Sequence, residues 1–548
     1  MANVKIVPLG GLGEVGKNMM CIEYGRNILV IDAGMMFPES DMPGVDYILP
    51  DWGYLRDKKD RIRAMLVTHG HQDHIGALPH FLEEFDVPVY ATRLTRGLIE
   101  VRLEKSRQLD KVTLNTFAPG DVVNIGPFVV EPYHVCHSIP DTVGLGITTP
   151  AGLIVHTGDF KFDHTPVDGW PTDYAKLAEF SVRGVQVLLS DSTNADQPGN
   201  TPSEMVLNDA FHQIMREAPG RVIVATFSSL ISRVQQVVDV AVSHGRKVAI
   251  AGKSMIENTE MARELGYLDI ADDQLIELDR IGELPPREVL IMATGSQGEP
   301  MAVLSRLATG RHATLTIEPG DTVVLSSHTI PGNEEMTHAV INRLFRRGAD
   351  VVYSPIANVH VSGHASQEEQ KLLINLLNPR FFVPIHGELR HLKQHGKLAR
   401  QAGIPEENIA VVENGCPLIF EGNRLVVGER IAGDHVYVDG ALVGETGPRV
   451  IQERDDLSQS GFVVAVVRYD RKKGQAVGKP RILTHGFVFE PDSEDLLARA
   501  QDVARAAASV PPNTGEEKVE KEVEAALSRF FYRETKRRPV VTAAVVKS

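Results

Sequence analysis

The sequence predicts an α/β chain of several domains, in which a β-rich region is interrupted by a parallel α/β unit and followed by a small α+β domain. Three observations carry this reading. Over residues 1–204, short apolar or alternating runs of strand length (KIVPLGG, MMCIEY, NILVIDAG, RAMLVTH, FVVEPYHV, GLIVHTGDF, VQVLLSDS) are separated by turn residues, with few helical stretches between them. Over 205–355 strands alternate with helices: RVIVATF precedes SSLISRVQQVVDVAVSHG, KVAIAG precedes a polar helix, and REVLIMATG precedes MAVLSRLA. That alternation is the pattern of a parallel sheet. From 356 to 425 the first style returns in RFFVPIHGE and the helix LRHLKQHGKLARQAG. A Gly- and Asp-rich connecting hairpin or linker is expected over 426–454. A last domain, 455–548, contains the strands FVVAVVRYD and RILTHGFVF and two helices, SEDLLARAQDVARAAA and EEKVEKEVEAALSRFFYRETKRR.

Composition narrows the class. At 548 residues the chain exceeds one hydrophobic core, and its 43% apolar content is that of a globular protein. No apolar run approaches the roughly 20 residues of a membrane span, so no membrane partner is expected. The start, MANVKIVPLGG, lacks the apolar centre of a signal peptide. Cys21, Cys136 and Cys416 are far apart with no CxxC, which predicts free thiols in a reducing, cytoplasmic compartment. The net charge of −15 argues weakly against nucleic acid, but most of the acidity precedes residue 451, and an acidic chain can still carry a locally positive, metal-lined channel.

The densest chemical signal is THGHQDHIGALP, which holds His69, His71, Asp73 and His74. The strand RAMLV ends at Thr68, His69 and His71 alternate in the extended loop beyond it, and Asp73 and His74 open a helix. Neutral imidazoles beside a hard carboxylate suit Zn²⁺ or Mn²⁺. Further candidates follow other strands: His137 in HSIPD, Asp159 in HTGDFK and His386 in PIHGE. Asp32 in VIDAG is placed to orient a ligand imidazole through its second nitrogen. His134 reads as a core histidine or a support to a ligand, and neither it nor His156 is assigned to a metal. The run Gly11-Leu-Gly13-Glu-Val-Gly16 matches a dinucleotide fingerprint, but a strand and not a helix follows it, so it is read as a turn between strands beside the metal site.

With these residues the chain resembles the metallo-β-lactamase superfamily and, within it, the β-CASP nucleases. HGHQDH, HSIPD and HTGDFK are similar to the superfamily's ligand motifs, and Asp32 to its leading aspartate. Asp191 in SDSTNA, His364 in HVSGHAS and His386 in PIHGE resemble the motifs added in the β-CASP branch. GGLGEVGKN, DAGMMFPE, SSHTIPGNE and TKRRP extend the likeness to the ribonuclease J family over nearly the whole chain. The resemblance implies an αββα metallo-β-lactamase sandwich with an inserted α/β β-CASP domain and a small α+β C-terminal domain. It further implies 5′-to-3′ exonuclease activity favouring 5′-monophosphate RNA with some endonuclease activity, in RNA decay and maturation. Single-stranded RNA is the implied substrate and a homodimer or homotetramer through the C-terminal domain the implied assembly, with other RNA-decay proteins as partners.

Roles follow. Two divalent ions per chain are expected, Zn²⁺ before Mn²⁺, one on His69, His71 and His137, the other on Asp73, His74 and His386, with Asp159 shared. His364, kept charged by Asp191, is the candidate for stabilising the transition state or protonating the leaving oxygen. His360, Val361, Ser362, Gly363 and His364 suit a 5′-phosphate pocket, through imidazoles, a hydroxyl and backbone N–H groups. Ser232 and Arg233 either close that pocket from the inserted domain or form a solvated loop. A structural Ca²⁺ or Mg²⁺ is conceivable on the Leu49 carbonyl, Asp51 and Asp439, where the rival reading is a hydrated turn. In the C-terminal helices, Leu496, Leu497, Ala500 and Val503, and Val523, Leu527, Phe530 and Phe531, form apolar stripes that serve either subunit contact or a private core. The rival functions are a DNA nuclease or small-ester hydrolase on the same scaffold and, from another class, a metal-free RNA-binding scaffold.

Overall fold

Two sheets face each other across the main core. In the computed structural model, which describes residues 3–39, 41–299, 301–329, 333–422, 424–431, 433–488 and 493–547, the first sheet has eight strands. Their order is Arg424–Val427, Leu418–Glu421, Val4–Gly10, Met19–Tyr24, Asn27–Ile31, Ile62–Leu66, Val89–Ala91 and Leu114–Thr116. The second has six, in the order Phe381–Ile385, Val185–Asp191, Gly152–His156, Val143–Thr149, Phe128–His134 and Val123–Ile125. Leu29 and Ile31 meet Leu145, Val187 and Phe381 between the sheets, while Ile28 and Val30, equally buried, point to the opposite face. Burial on both faces explains why these strands read as continuous apolar runs and not as strict alternations. Behind the second sheet, Val155, Leu188 and Phe382 pack with Leu177, Phe180, Leu373, Leu377 and Ala399 of three covering helices, Tyr174–Arg183, Gln367–Leu377 and Leu389–Gln401.

The interruption is a five-stranded sheet ordered Lys247–Ala251, Val289–Ala293, Val222–Ala225, Thr322–Leu325 and Asp350–Val352, parallel throughout. Its strands alternate with helices such as Ile231–Ser243 and Glu334–Arg346, as the sequence pattern requires. This α/β insertion and the αββα sandwich around it are the predicted fold class. Residues 330–332, inside the run SSHTIPGNE, lie outside the described residues. Among the described residues no helix is long and apolar enough to cross a membrane.

Met1–Phe37 and Tyr47–Val436 form one unit, and Pro38–Asp46 with Tyr437–Ser548 the other. In the second unit Phe462–Asp470 is the central strand, antiparallel to Arg481–His485 and parallel to a closing strand, Val540–Lys547. Sequence reasoning missed that last strand. The segment 426–454, expected as a connecting hairpin or linker, holds the hairpin of His435–Asp439 with Leu442–Val443 and begins the helix Pro448–Ser460.

The helical stripes find their use inside this unit. Ala500, Val523, Leu527, Phe530 and Phe531 are buried against Val463, Ala465 and Val467, with Leu496, Leu497 and Val503 packed around them. The buried members of these stripes form a private core within this unit, one of the two uses the sequence allowed, while Leu496, Leu497 and Val503 stay partly exposed.

Candidate metal centre

Three neighbouring strands of the second sheet, Gly152–His156, Val185–Asp191 and Phe381–Ile385, run parallel, with one register shift at Leu153–Ile154. Their carboxyl ends therefore deliver Asp159, Asp191 and His386 to one place. The strand Ile62–Leu66 of the facing sheet delivers His69 to His74, and the loop after Phe128–His134 delivers His137. The glycine turn 11–16 lies beside them: the short strand Leu12–Gly13 pairs with Gly387–Glu388, directly after His386.

The side chains gather into two principal groups. The nitrogens of His69, His71 and His137 lie within 4.8 Å of one another, as do the donor atoms of Asp73, His74, Asp159 and His386. His71 Nδ1 is 3.1 Å from both His69 Nε2 and His137 Nε2. Asp159 Oδ2 faces both groups, 3.2 Å from His74 Nε2, 3.6 Å from His69 Nε2 and 3.8 Å from His137 Nε2. A third overlapping group joins Asp159, Asp191, His364 and His386.

The ligand rings are aimed by neighbours. His74 Nδ1 lies 2.7 Å from Asp32 Oδ2, and the same carboxylate accepts from the Thr68 N–H and hydroxyl at 2.8 Å each. His137 Nδ1 donates to the Gly363 carbonyl at 2.7 Å, so the HVSGH loop orients a candidate ligand. His364 Nδ1 lies 2.8 Å from Asp191 Oδ2, and its ring sits 4.9 Å from that of His137 and 5.5 Å from that of His386.

Electrostatics split the imidazoles into two kinds. Burial, aided by neighbouring imidazoles, pushes His69 and His137 well below the ordinary histidine range and His71 to about 4, so their lone pairs are free. Burial works the same way at His74 and His386, but the carboxylates win: Asp159, Asp73 and Asp32 raise His74 well above its usual range, and Asp159, Asp73 and Asp191 raise His386 to about 10. Burial would raise the carboxyls of Asp73 and Asp159, yet the facing histidines hold both well below the carboxylate range. His364 is raised against burial by Asp191. This pocket demands positive charge, in the form of protons or of metal cations.

The donors fit divalent ions. Three neutral imidazoles form one set, and two imidazoles with carboxylates form the other. His386 Nε2 is buried without a hydrogen-bond partner, 3.4 Å from Asp73 Oδ2, as a nitrogen reserved for a cation would be.

Other expected residues fall in different roles. His360 is half-buried with an unpartnered Nδ1, held well below the histidine range by burial and by Arg233. The Ser362 hydroxyl accepts from the His364 N–H at 3.2 Å and from Asn194 Nδ2 at 2.9 Å. Arg233 is the main correction. Only 3% exposed, it pairs with Glu204 and donates to Ser326 Oγ at 2.6 Å and the Val359 carbonyl at 3.1 Å. A guanidinium so committed props the loop ahead of His360 and does not reach a phosphate. Ser232 lines a recess beside His137. Asp51 accepts from the Gly53 N–H at 2.8 Å, Asp439 pairs with Arg454 at 2.5 Å, and neither joins a cluster of potential metal ligands among the described residues. Leu49 is buried in its strand. His134 stacks on Trp170, and His156 Nδ1 accepts from the Gly158 N–H at 3.0 Å.

Sequence reasoning missed the clamps. The Asn18 N–H donates to the Asp73 carbonyl at 2.9 Å, and its side-chain Nδ2 lies 3.1 Å from His74 Nε2. Asn194 Nδ2 and Thr201 Oγ1 both donate to the His364 carbonyl, at 2.9 and 2.6 Å. Their only signal was position, Asn18 closing the glycine turn and Asn194 following Asp191 by three residues.

Comparison with known proteins agrees with this geometry. Residues 12–195 match the metallo-beta-lactamase superfamily, 219–344 the ribonuclease J beta-CASP domain, 348–411 the Zn-dependent metallo-hydrolase RNA specificity domain, and 449–548 the ribonuclease J C-terminal domain. The chain is 39% identical to ribonuclease J2 of Bacillus subtilis over 548 residues, covering 100% of this chain and 99% of that protein. It is 41% identical to ribonuclease J of Thermus thermophilus over 554 residues, covering 100% and 95%. A solved Enterococcus faecalis protein of unknown function shares the fold with a TM-score of 0.54 at 16% identity, covering 76% of this chain and 100% of that one. On these matches the chain belongs to the ribonuclease J family of metallo-β-lactamase-fold proteins.

Proposed function

We propose that this protein is a ribonuclease that hydrolyses RNA phosphodiester bonds with two divalent ions, Zn²⁺ before Mn²⁺. It acts as a 5′-to-3′ exonuclease favouring 5′-monophosphate ends and cuts internally as a second activity. The observation that carries this reading is Asp159, one carboxylate within 3.2–3.8 Å of ligand candidates from both groups. His69, His71 and His137 would hold one ion, Asp73, His74 and His386 the other, with Asp159 between them. Such ions, when bound, lower the pKa of water and neutralise charge developing on the phosphoryl oxygens.

The protein's own groups do the rest. Asp32 and the Gly363 carbonyl fix His74 and His137, so the donor set is organised before substrate arrives. Asp191 holds His364 by Nδ1 and favours its charged form, which leaves Nε2 to donate a proton to the departing 3′ oxygen. His360, Ser362 and the N–H groups around Gly363 would receive a terminal monophosphate. The enzyme would act in the cytoplasm, a compartment suited to its three free cysteines.

Digestion of end-labelled RNA and DNA bearing 5′-monophosphate, triphosphate or hydroxyl ends, with Zn²⁺ or Mn²⁺, tests this. Monophosphate RNA should be degraded fastest, to mononucleotides, and Asp73→Ala should abolish all hydrolysis while the fold persists. Equal rates on the three ends would remove the terminal pocket. Full activity of Asp73→Ala in metal-stripped buffer would remove the two-ion assignment.

A further inference from the structure

Trp170 is an aromatic surface held stiffly beside the metal centre. Its indole lies flat on the His134 imidazole, ring centroids 3.9 Å apart and planes within 9°. The backbone on both sides is tied down. Its N–H donates to Asp168 Oδ1 at 3.0 Å, its carbonyl faces the Cys136 thiol at 3.5 Å, and the following Pro171 carbonyl accepts from His134 Nδ1 at 3.0 Å. Burial lowers His134 below the ordinary histidine range, so the supporting ring is neutral and serves as packing.

One face of the indole is therefore spent, yet Trp170 remains 42% exposed. It opens on a recess whose other walls include the ligand candidate His137, Ser232 from the inserted domain, and Glu204. A large apolar ring left open next to a catalytic centre costs free energy unless something covers it in use. The exposed carboxylate of Asp168 on the same rim repels a phosphate but tolerates a neutral ring.

We infer that Trp170 is a stacking platform for a nucleobase of single-stranded RNA adjoining the scissile phosphodiester. It binds and positions the substrate and takes no part in the chemistry. The inference rests on the ribonuclease reading above and adds to it a base-binding subsite without a hydrogen-bond code, since every base has a face to stack. Because the platform is already rigid, little ordering entropy is lost when a base settles on it.

The chain has two tryptophans, and the other, Trp52, is 6% exposed with its indole N–H on Glu84. Trp52→Phe thus leaves Trp170 as the sole indole emitter in the full-length protein. With a chelator present to keep RNA intact, this variant should be quenched by a single-stranded oligoribonucleotide but not by a sugar–phosphate oligomer of equal length lacking bases. In the otherwise native chain, Trp170→Ala should weaken RNA binding by about 5- to 150-fold, the range measured for losing one base stack, and Trp170→Phe should restore most of it. With metal supplied, Trp170→Ala should raise KM and spare kcat. Unaltered affinity of Trp170→Ala, absent quenching, or equal quenching by the base-free oligomer overturns the platform. A native protein that cleaves RNA while Trp170→Ala binds normally defeats this inference alone. A native protein that neither binds nor cleaves RNA defeats the ribonuclease reading and takes the platform with it.

Discussion

Replacing Gly363 with alanine would press a single methyl group against a metal-ligand candidate. The added carbon would lie 2.7 Å from both Nδ1 and Cε1 of His137 and 2.9 Å from Ser138 Cβ, closer than side-chain carbons come to such neighbours. The backbone itself accepts alanine, because Gly363 is not among the residues of positive φ. The strain is therefore steric and falls on the His137 ring and on Ser138. Overpacking of this kind costs about 1–3 kcal/mol. Displacing the ring also lengthens the 2.7 Å bond from His137 Nδ1 to the Gly363 carbonyl. That loss adds about 0.5–1.5 kcal/mol.

If His137 absorbs the displacement, the sum of about 1.5–4.5 kcal/mol appears as metal affinity lowered by roughly 10- to 2,000-fold. Losses of about 10- to 100-fold are usual when a ligand's orienting partner is removed. Competition against a chromophoric chelator measures the affinity, and a melting curve without metal checks the fold. Gly363→Ala should bind fewer ions at limiting metal, recover part of its hydrolysis at high metal, and melt close to the native protein. Native metal affinity, combined with loss of the preference among 5′ ends, would refute the reasoning, because the HVSGH loop and not His137 would then have yielded.

Asp32→Asn should lower metal affinity by about 10- to 100-fold, read by the same competition, since it weakens the partner of His74 Nδ1 while keeping the shape. Arg233→Met should lower stability by about 3–5 kcal/mol in denaturant titration, because Glu204 would keep a buried charge without its guanidinium; an unchanged midpoint would show that Lys161, 3.7 Å from Glu204, suffices. Val450 and Leu457, each 38% exposed and seven residues apart on the helix Pro448–Ser460, lie on one helical face. Val450→Asp with Leu457→Asp should reduce the number of subunits seen by light scattering, and an unchanged number would take this face out of any assembly.

What was legible in the sequence had a period or a density. The parallel insertion was visible because its strands are apolar on both faces and alternate with amphipathic helices such as Ile231–Ser243, which follows Val222–Ala225. The candidate ligands were visible because His69, His71, Asp73 and His74 crowd one strand end, and Asp159 and His386 recur after strands that the sheet sets side by side. Residues without either signal were missed. Asn18, Asn194 and Thr201 work through hydrogen bonds to groups distant in the chain, and nothing in a loop's local pattern marks such bonds. The closing strand Val540–Lys547 was missed because its partner, Phe462–Asp470, lies far back in the chain.

The assignments that the sequence left open have a common physical origin. An apolar stripe shows that a face will be covered and is silent on what covers it, so the private core of the C-terminal unit and a subunit contact look alike in sequence. Arg233 poses the same ambiguity with charge: at the start of a helix it reads as a phosphate contact or as solvated surface, and only the presence of Glu204, Ser326 and Val359 around it shows that both of its terminal nitrogens are bonded internally. Trp170 is the converse case. Its sequence context, a polar turn, marks it as unremarkable surface, and the stack on His134 together with the recess at His137 is what gives it a role. Partner-dependent assignments of this kind become decidable only when the fold supplies the neighbours, whereas ligand density at strand ends carries its own evidence.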